Sequence, residues 1–294
     1  MNLLGKNDSV HDLKMWNLRN IMVAVLAKGK LTKQEMLEST GLSASTVSDC
    51  VGKLVALGAL GEAGWEESSG GRRAARYRVE QSFGAFLGVE LTENIFSFAL
   101  CDMTGCQLSA WQQKLSPDEL ALHTLCKGIE RGMAEAPFSL RAIGLALPGA
   151  LDTERGIVLR CAAFHWRNVP IKENLERRYG FSTDIDHPVH CGAMRAEVLG
   201  AAQGLQSFLC AWPHHRHKVA VVLDGSLCRG RGNLCGTLEE PWEPEGLQTL
   251  ARLLGLEQVL IGPAGEPFAG AAALMAEMRW FEQLYQLIKE NRNE

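Results

Sequence analysis

The sequence predicts an α/β protein headed by a winged helix-turn-helix, and two stretches carry the head. The first is a run of three helical segments with capping signals over residues 16–58. The second is SSGGRRAARYRVE at 68–80, in which two glycines and two arginines precede a strand-like return. The α/β trunk rests on motifs spread between residues 86 and 280.

WNLRNIMVAVLAKG (16–29) spaces Leu18, Ile21, Met22, Val25 and Leu26 as one helical face, and Gly29 supplies a stop. In LTKQEMLESTG, Thr32 followed by Glu35 forms a capping box, each side chain satisfying a free backbone N–H at the helix start. Met36 and Leu37 face inward, and the short helix ends at Thr40-Gly41. SASTVSDCVGKLVALG (43–58) then begins a third helix with Ser43 as N-cap and Val47, Val51, Leu54 and Val55 as its apolar stripe. Helix, short helix, glycine turn and longer helix describe a helix-turn-helix. Its exposed front carries Ser43, Ser45, Thr46, Ser48, Asp49 and Lys53. Short hydroxyls there reach base edges or phosphates without filling a major groove, and Lys53 is placed for a phosphate.

GEAGWEES opens an extended segment after that helix, SSGGRR makes the tip, and AARYRVE returns. The result is a wing. Glycines let its tip approach a duplex, while Arg72 and Arg73 suit the strong negative potential of a narrow minor groove.

Composition sets the bounds. The chain has 294 residues, 46% hydrophobic, enough for two or three domains with sizeable cores. No apolar run approaches the roughly 18 residues that cross a bilayer, and MNLLGKNDSVHDL lacks the apolar region of a signal peptide, so a soluble cytoplasmic protein is expected. Nine scattered cysteines without a CxxC pair argue against a secreted disulfide framework and against a zinc site of cysteines alone. Net charge is −4, yet residues 1–80 hold 11 Lys and Arg against 9 Asp and Glu. A mildly basic head on an acidic body permits DNA binding without requiring it.

These residues resemble a known family. Residues 17–71, with LTKQEMLESTGLSASTVSDCVGKLVALGAL and then GGRR, are similar to the N-terminal part of ROK-family repressors, a family that unites sugar-responsive repressors with sugar kinases. FLGVELTENIFSFALCDMTGCQL resembles the family's opening strand–turn–strand, and GLALPGALDTERGIVL its proline–glycine loop on the sugar side. FHWRNVPIKENLERRYG, LDGSLCRGRGNLCG and FAGAAALMAEMRW resemble, in order, its tryptophan segment, its glycine-spaced hairpin and its C-terminal helix. The resemblance implies a two-lobed actin/hexokinase-like (ribonuclease H-like) domain, shortened on its C-terminal side. The domains expected are 1–80 for the winged helix-turn-helix, 81–186 for a first lobe, and 187–294 for a second lobe with the C-terminal helix.

Departures from the family pattern bear on function. Where the kinases carry a glycine-rich phosphate turn, this chain has Glu90-Leu91-Thr92-Glu93-Asn94, with no glycine and two carboxylates that repel phosphate. The second phosphate loop falls on His214-His215-Arg216-His217-Lys218, again without glycine. The Asn-Asp pair that holds the general base falls on Pro188-Val189, neither of which accepts a proton. Asp186 or His190 takes that place only under a register shift of a few residues. A Glu and a His of the sugar and zinc motif fall on Thr237 and Glu240. Cys228 and Cys235 have no ready partners for a tetrahedral zinc. Of a sugar pocket there remain Pro148, Gly149, Trp166 and Glu197.

HHRHK at 214–218 reads as a solvated loop between two strands. The C-terminal run spaces Met278, Trp280, Phe281, Leu284, Leu287 and Ile288 on one broad face, for packing onto its own lobe or against a twin. The reading is a sequence-specific DNA-binding transcription regulator of repressor type. It has no catalytic residue, metal or cofactor. Its partners are double-stranded DNA and a second copy in a homodimer or higher oligomer; a sugar or protein effector is left open, and no membrane is involved. Two alternatives stand beside it: a sugar kinase of this family with a DNA-binding head, and a pseudokinase-like regulator acting through protein contacts.

Overall fold

Helix α1 (Val10–Lys28) buries Leu18, Ile21, Met22, Val25 and Leu26, the face set by their spacing, and Gly29 ends it at φ +78°. The computed structural model describes residues 10–65, 73–115, 120–256, 258–263, 267–281, 284 and 288, with side chains from residue 13 on. Strand β1 (Leu31–Thr32) leads into α2 (Lys33–Thr40) through a reciprocal cap. Glu35 N donates to Thr32 Oγ1 at 3.2 Å, and Thr32 N donates to Glu35 Oε2 at 2.7 Å. Gly41, left-handed at φ +68°, turns the chain towards α3 (Ala44–Leu57), whose Thr46 N donates to the Ser43 hydroxyl at 3.2 Å.

Val47, Cys50, Val51 and Leu54 make the buried stripe of α3. Val55, expected in that stripe, is 38% exposed. Eight residues beyond Val47, it lies about 80° round the helix, at the edge of the buried face. Strands β2 (Leu60–Trp65) and β3 (Ala75–Val79) then pair antiparallel, and β1 adds to β3, giving the order β1-β3-β2. The expected glycine tip and Arg72 fall in 66–72, outside the described residues.

One 3-10 turn (Gln81–Phe83) joins this head to the trunk. The chain continues through β4 (Ala85–Leu91), β5 (Ile95–Asp102), β6 (Gln107–Lys114), α4 (Ala121–Glu135) and β7 (Leu140–Ala146). Short strands β8 (Ala150–Asp152), β9 (Ile157–Cys161) and β10 (Trp166–Val169) precede α5 (Ile171–Tyr179), β11 (Ser182–Asp186) and α6 (Pro188–Leu199). Then come β12 (Phe208–Ala211), β13 (Val219–Leu223), β14 (Ser226–Leu227), α7 (Pro244–Leu254), β15 (Gln258–Ile261) and α8 (Ala269–Trp280).

The main sheet runs β11-β7-β4-β5-β6, with β4, β7 and β11 parallel and the β4–β5–β6 meander antiparallel. Strand β4 is buried on both faces, as a central strand between two helical layers must be. Its odd residues Leu87, Val89 and Leu91 share a core with Leu125 and Ile129 of α4; Phe86 faces the other way, into the core that holds α8 residues. A smaller sheet, β14-β13-β12-β15, lies beyond α6.

Helix α8 lies unusually close to the main sheet. A Cβ on Gly88 of β4 would overlap the Ala269 carbonyl, and one on Gly144 of β7 would overlap that of Ala272. The alanines at 269, 272, 273 and 276 complete the close fit. The helix therefore covers the sheet of the 81–186 segment, although it belongs to the segment 187–294. Past its end, Phe281, Leu284 and Ile288 are buried in one core with Leu18, Met22, Val51 and Leu54 of the head. The broad apolar face at the C-terminus is thus used within the chain; Leu287 lies outside the described residues.

Candidate functional site

At the front of α3, Ser43, Ser45 and Ser48 are exposed and Thr46 is half-buried. The Ser43 hydroxyl caps the helix and also meets Ser45 Oγ at 3.0 Å and Thr46 Oγ1 at 2.8 Å. Lys33 of α2 donates to Ser48 Oγ at 3.0 Å, which sets a cation beside the hydroxyl row. Lys53 is paired with Asp49 one turn earlier, so its charge is shared with a carboxylate. Between Ser48, Asp49, Gly52, Lys53, Ala56 and Ile288 of the C-terminal segment lies a cavity of about 360 Å³. The second half of α3 thus faces the chain's own C-terminus, and the first turns face outward.

Arg73 is exposed at the foot of the hairpin. Arg76 and Arg78 follow on β3, Arg76 3.5 Å from Glu35 and Arg78 3.4 Å from Glu80. Lys33, Arg76 and Arg78 are basic groups of this face that the sequence reading did not single out. The alternation in RYRV was the available signal for the two arginines.

In the trunk, β11 ends on Asp186, which is fully buried. His190 Nδ1 lies 3.0 Å from its Oδ1, Asn233 Nδ2 donates at 2.8 Å, and Arg229 Nη2 and Nε lie 2.9 and 3.0 Å from Oδ2. Arg279 of α8 reaches it at 3.5 Å and Asp184 at 3.2 Å. Burial opposes ionisation of Asp186, but the His190 hydrogen bond and the charges of Arg229, His190 and Arg279 outweigh it and hold the carboxyl far below the usual range. A carboxylate so strongly ionised and so enclosed is a poor general base. Pro188 and Val189, at the first turn of α6, are buried as well.

A cleft of about 620 Å³ opens beside this cluster. Gly149, Ala150, Arg160 and Ala162 wall it from the β8–β9 hairpin. His187, the loop His214–Lys218, Leu234 and Thr237 wall it from the other side. Gly149 stands at φ +110°, where a Cβ would overlap the Arg160 carbonyl. Lys218 is buried, donating to the Asn233 carbonyl at 2.7 Å and to Thr237 Oγ1 at 3.2 Å, and burial lowers its pKa to about 8. Burial and the charges of Lys218, His190 and His215 hold His187 well below the ordinary imidazole range, so it is neutral. The 214–218 loop is solvated at His214, Arg216 and His217, but His215 and Lys218 turn inward and the whole loop lines the cleft.

Glu90, at the end of β4, spends its carboxylate inside the protein. Oε2 accepts the Phe268 N–H at 2.8 Å, and Oε1 lies 3.6 Å from His215 Nε2. The following turn is closed by Thr92, whose N–H and hydroxyl donate to the Ile95 carbonyl at 3.1 and 2.6 Å. Among the described residues, no three His, Cys, Asp or Glu side chains are placed to hold a metal ion.

The four ligand candidates do not converge. Gly149 lines the cleft and Pro148 precedes it, but Trp166 packs, tilted, against Phe164 with ring centres 5.0 Å apart in the α4-side core. Glu197 belongs to the head–trunk contact, where burial raises its pKa to about 6 and Arg19 of α1 pulls the other way. Arg160 and His187 line the cleft and were not read from the sequence; Lys218 was read only as part of the 214–218 loop.

A model of the ROK family matches residues 86–238. The xylose repressor of Bacillus spizizenii is 25% identical over 77% of this chain and 60% of its own length. The DNA-binding transcriptional dual regulator NagC of Escherichia coli is 22% identical over 71% of this chain and 53% of its own. This chain therefore spans only about half to three-fifths of these relatives. Among solved structures, a ROK family transcriptional regulator, homolog of the E. coli MLC protein, superposes with a TM-score of 0.66 at 18% identity, covering 95% of this chain and 88% of that one. Over more than half its length the sequence fits one family pattern, and the chain belongs to the ROK family.

Proposed function

We propose that this protein is a DNA-binding transcription regulator of repressor type whose residues 1–80 form a winged helix-turn-helix. The observation that carries the reading is the front of α3. Its first two turns present Ser43, Ser45 and Ser48 to solvent beside Lys33, while the same helix buries Val47, Val51 and Leu54. An α3 of this kind enters a major groove by its N-terminal end, with hydroxyls on base edges or phosphates. Arg72 and Arg73 enter the adjacent minor groove. Lys53 contacts phosphate once it leaves Asp49. A relative named as a xylose repressor and one named as a DNA-binding transcriptional dual regulator support the same class.

The trunk, as two lobes over 81–186 and 187–294, has given up phosphoryl transfer. Supporting this, Glu90 fills the phosphate-turn position with a carboxylate hydrogen-bonded by the Phe268 N–H, and Pro188 and Val189, which stand where the general base would be, have no side-chain group that takes a proton. The proposed regulator works in the cytoplasm, and a homodimer follows from the small surface one head buries on a duplex, since two-fold pairing doubles the contacts and selects palindromic half-sites.

Genomic fragments selected by the purified chain, then titrated by fluorescence anisotropy at several salt concentrations, test the reading. A specific fragment with a steep salt slope is expected, together with at least a hundredfold loss for Arg72→Ala/Arg73→Ala at unchanged melting temperature. Unchanged affinity in that variant removes the wing from the interface. Absence of any duplex binding refutes the regulator.

A further inference from the structure

We propose that the cleft between the β8–β9 hairpin and the 214–218 loop binds a small anion, a metabolite bearing a phosphate group or several carboxylates. The lining carries the case. Seven of its twelve residues are Arg, Lys or His, and none is Asp or Glu. The nearby carboxylates are already engaged: Asp186 by Arg229, Arg279 and His190, Glu90 by Phe268 N and His215, and Glu243 by Arg216. Arg160, exposed on β9, has no ion-pair partner among the described residues.

Donor geometry points the same way. His187 Nδ1 accepts the Val189 N–H at 3.4 Å, so the ring hydrogen sits on Nε2 and the ring is a donor where it lines the cleft. His187 and His215 stand 6.0 Å apart between ring centres, and Lys218 holds Thr237 at the far wall. A neutral sugar needs acceptors for its hydroxyl hydrogens. Among the side chains that line the cleft none is a carboxylate or carboxamide, whereas a phosphate or carboxylate needs donors alone. A volume of about 620 Å³ suits a small metabolite.

Such an anion would be the effector of the regulator proposed above, and its binding is read separately from operator affinity. Isothermal titration of the full chain with inorganic phosphate, with citrate and with glucose, at constant ionic strength, is the test. Heat with phosphate alone assigns a phosphate ligand, and heat with citrate alone a polycarboxylate. Either is expected to weaken at least tenfold in Arg160→Ala and in Lys218→Met, with glucose silent. Arg160 is on the surface, so its variant keeps the fold and decides the matter if the Lys218 variant melts early by circular dichroism. Binding of glucose without either anion, no binding by any of the three, or equal anion affinity in Arg160→Ala overturns the proposal. Anion binding by a chain that ignores every duplex refutes the regulator and leaves the cleft site standing; operator binding without anion binding does the reverse.

Discussion

Two carboxyl groups, Asp186 and Glu277, are both wholly shut off from solvent, and they take opposite protonation states. Asp186 sits among Arg229, Arg279, His190 and Asn233, and is ionised. Neither oxygen of Glu277, on α8 itself, has a hydrogen-bond partner; burial, reinforced by the charge of Asp102, pushes its pKa well above the usual value and keeps it protonated. Depth alone does not decide charge. What decides it is whether the surrounding elements deliver donors.

Both environments exist because α8 presses onto the sheet, so the sharpest way to break the comparison is to lift the helix. Gly88→Val, which drives a side chain into the Ala269 carbonyl, should cost about 3 kcal/mol or more, read by urea unfolding at pH 7. Arg229→Met comes next. It strips Asp186 of its shortest ion pair and should cost about 3 kcal/mol at neutral pH. Because the folded pKa of Asp186 is depressed, its contribution is whole above the unfolded value near about 4 and is lost as pH falls below it. The variant's deficit should therefore narrow in acid.

Glu277→Gln is the gentlest change and has the opposite sign. A raised folded pKa means that the unfolded chain loses its proton first as pH rises. Wild-type stability should then decline by about 1.4 kcal/mol per pH unit between the unfolded and folded values, on account of this one group. The amide removes that slope. Thermal melts should find the variant level with wild type near pH 4 and more stable near pH 8. An equal offset at both would mean that Glu277 ionises in the fold.

The head was legible because its signals are local. Thr32 and Glu35 cap each other across three residues, Ser43 caps its own helix, and Gly29, Gly41 and Gly58 each occupy the left-handed region that ends a helix. Among the described residues Val55 strayed, by its angle round α3, and Thr46 of the expected exposed front is half-buried. The cleft was not legible for the converse reason. Gly149 and Arg160 share the β8–β9 hairpin, His187 follows β11 and Lys218 precedes β13, three separate places in the chain that the fold brings to one cleft. The family pattern supplied Gly149 but also Trp166 and Glu197, which packing sends to a core and to the head contact. Asp186 is a case between: the sequence put an acidic residue near the right place, but its own burial among His190, Asn233, Arg229 and Arg279 is set by the fold.

One detail of α8 reaches further. Its first residues lie under the cleft, where Phe268 touches the rings of His214 and His215 at 5.3 and 5.2 Å, and its last reach Arg19 of α1 through the Met278 carbonyl at 3.3 Å. Twelve helical residues form a stiff rod of about 18 Å. A head seated on the end of that rod has no swivel of its own. Whatever tilts the rod at its cleft end tilts α1 and the helices packed on it as well.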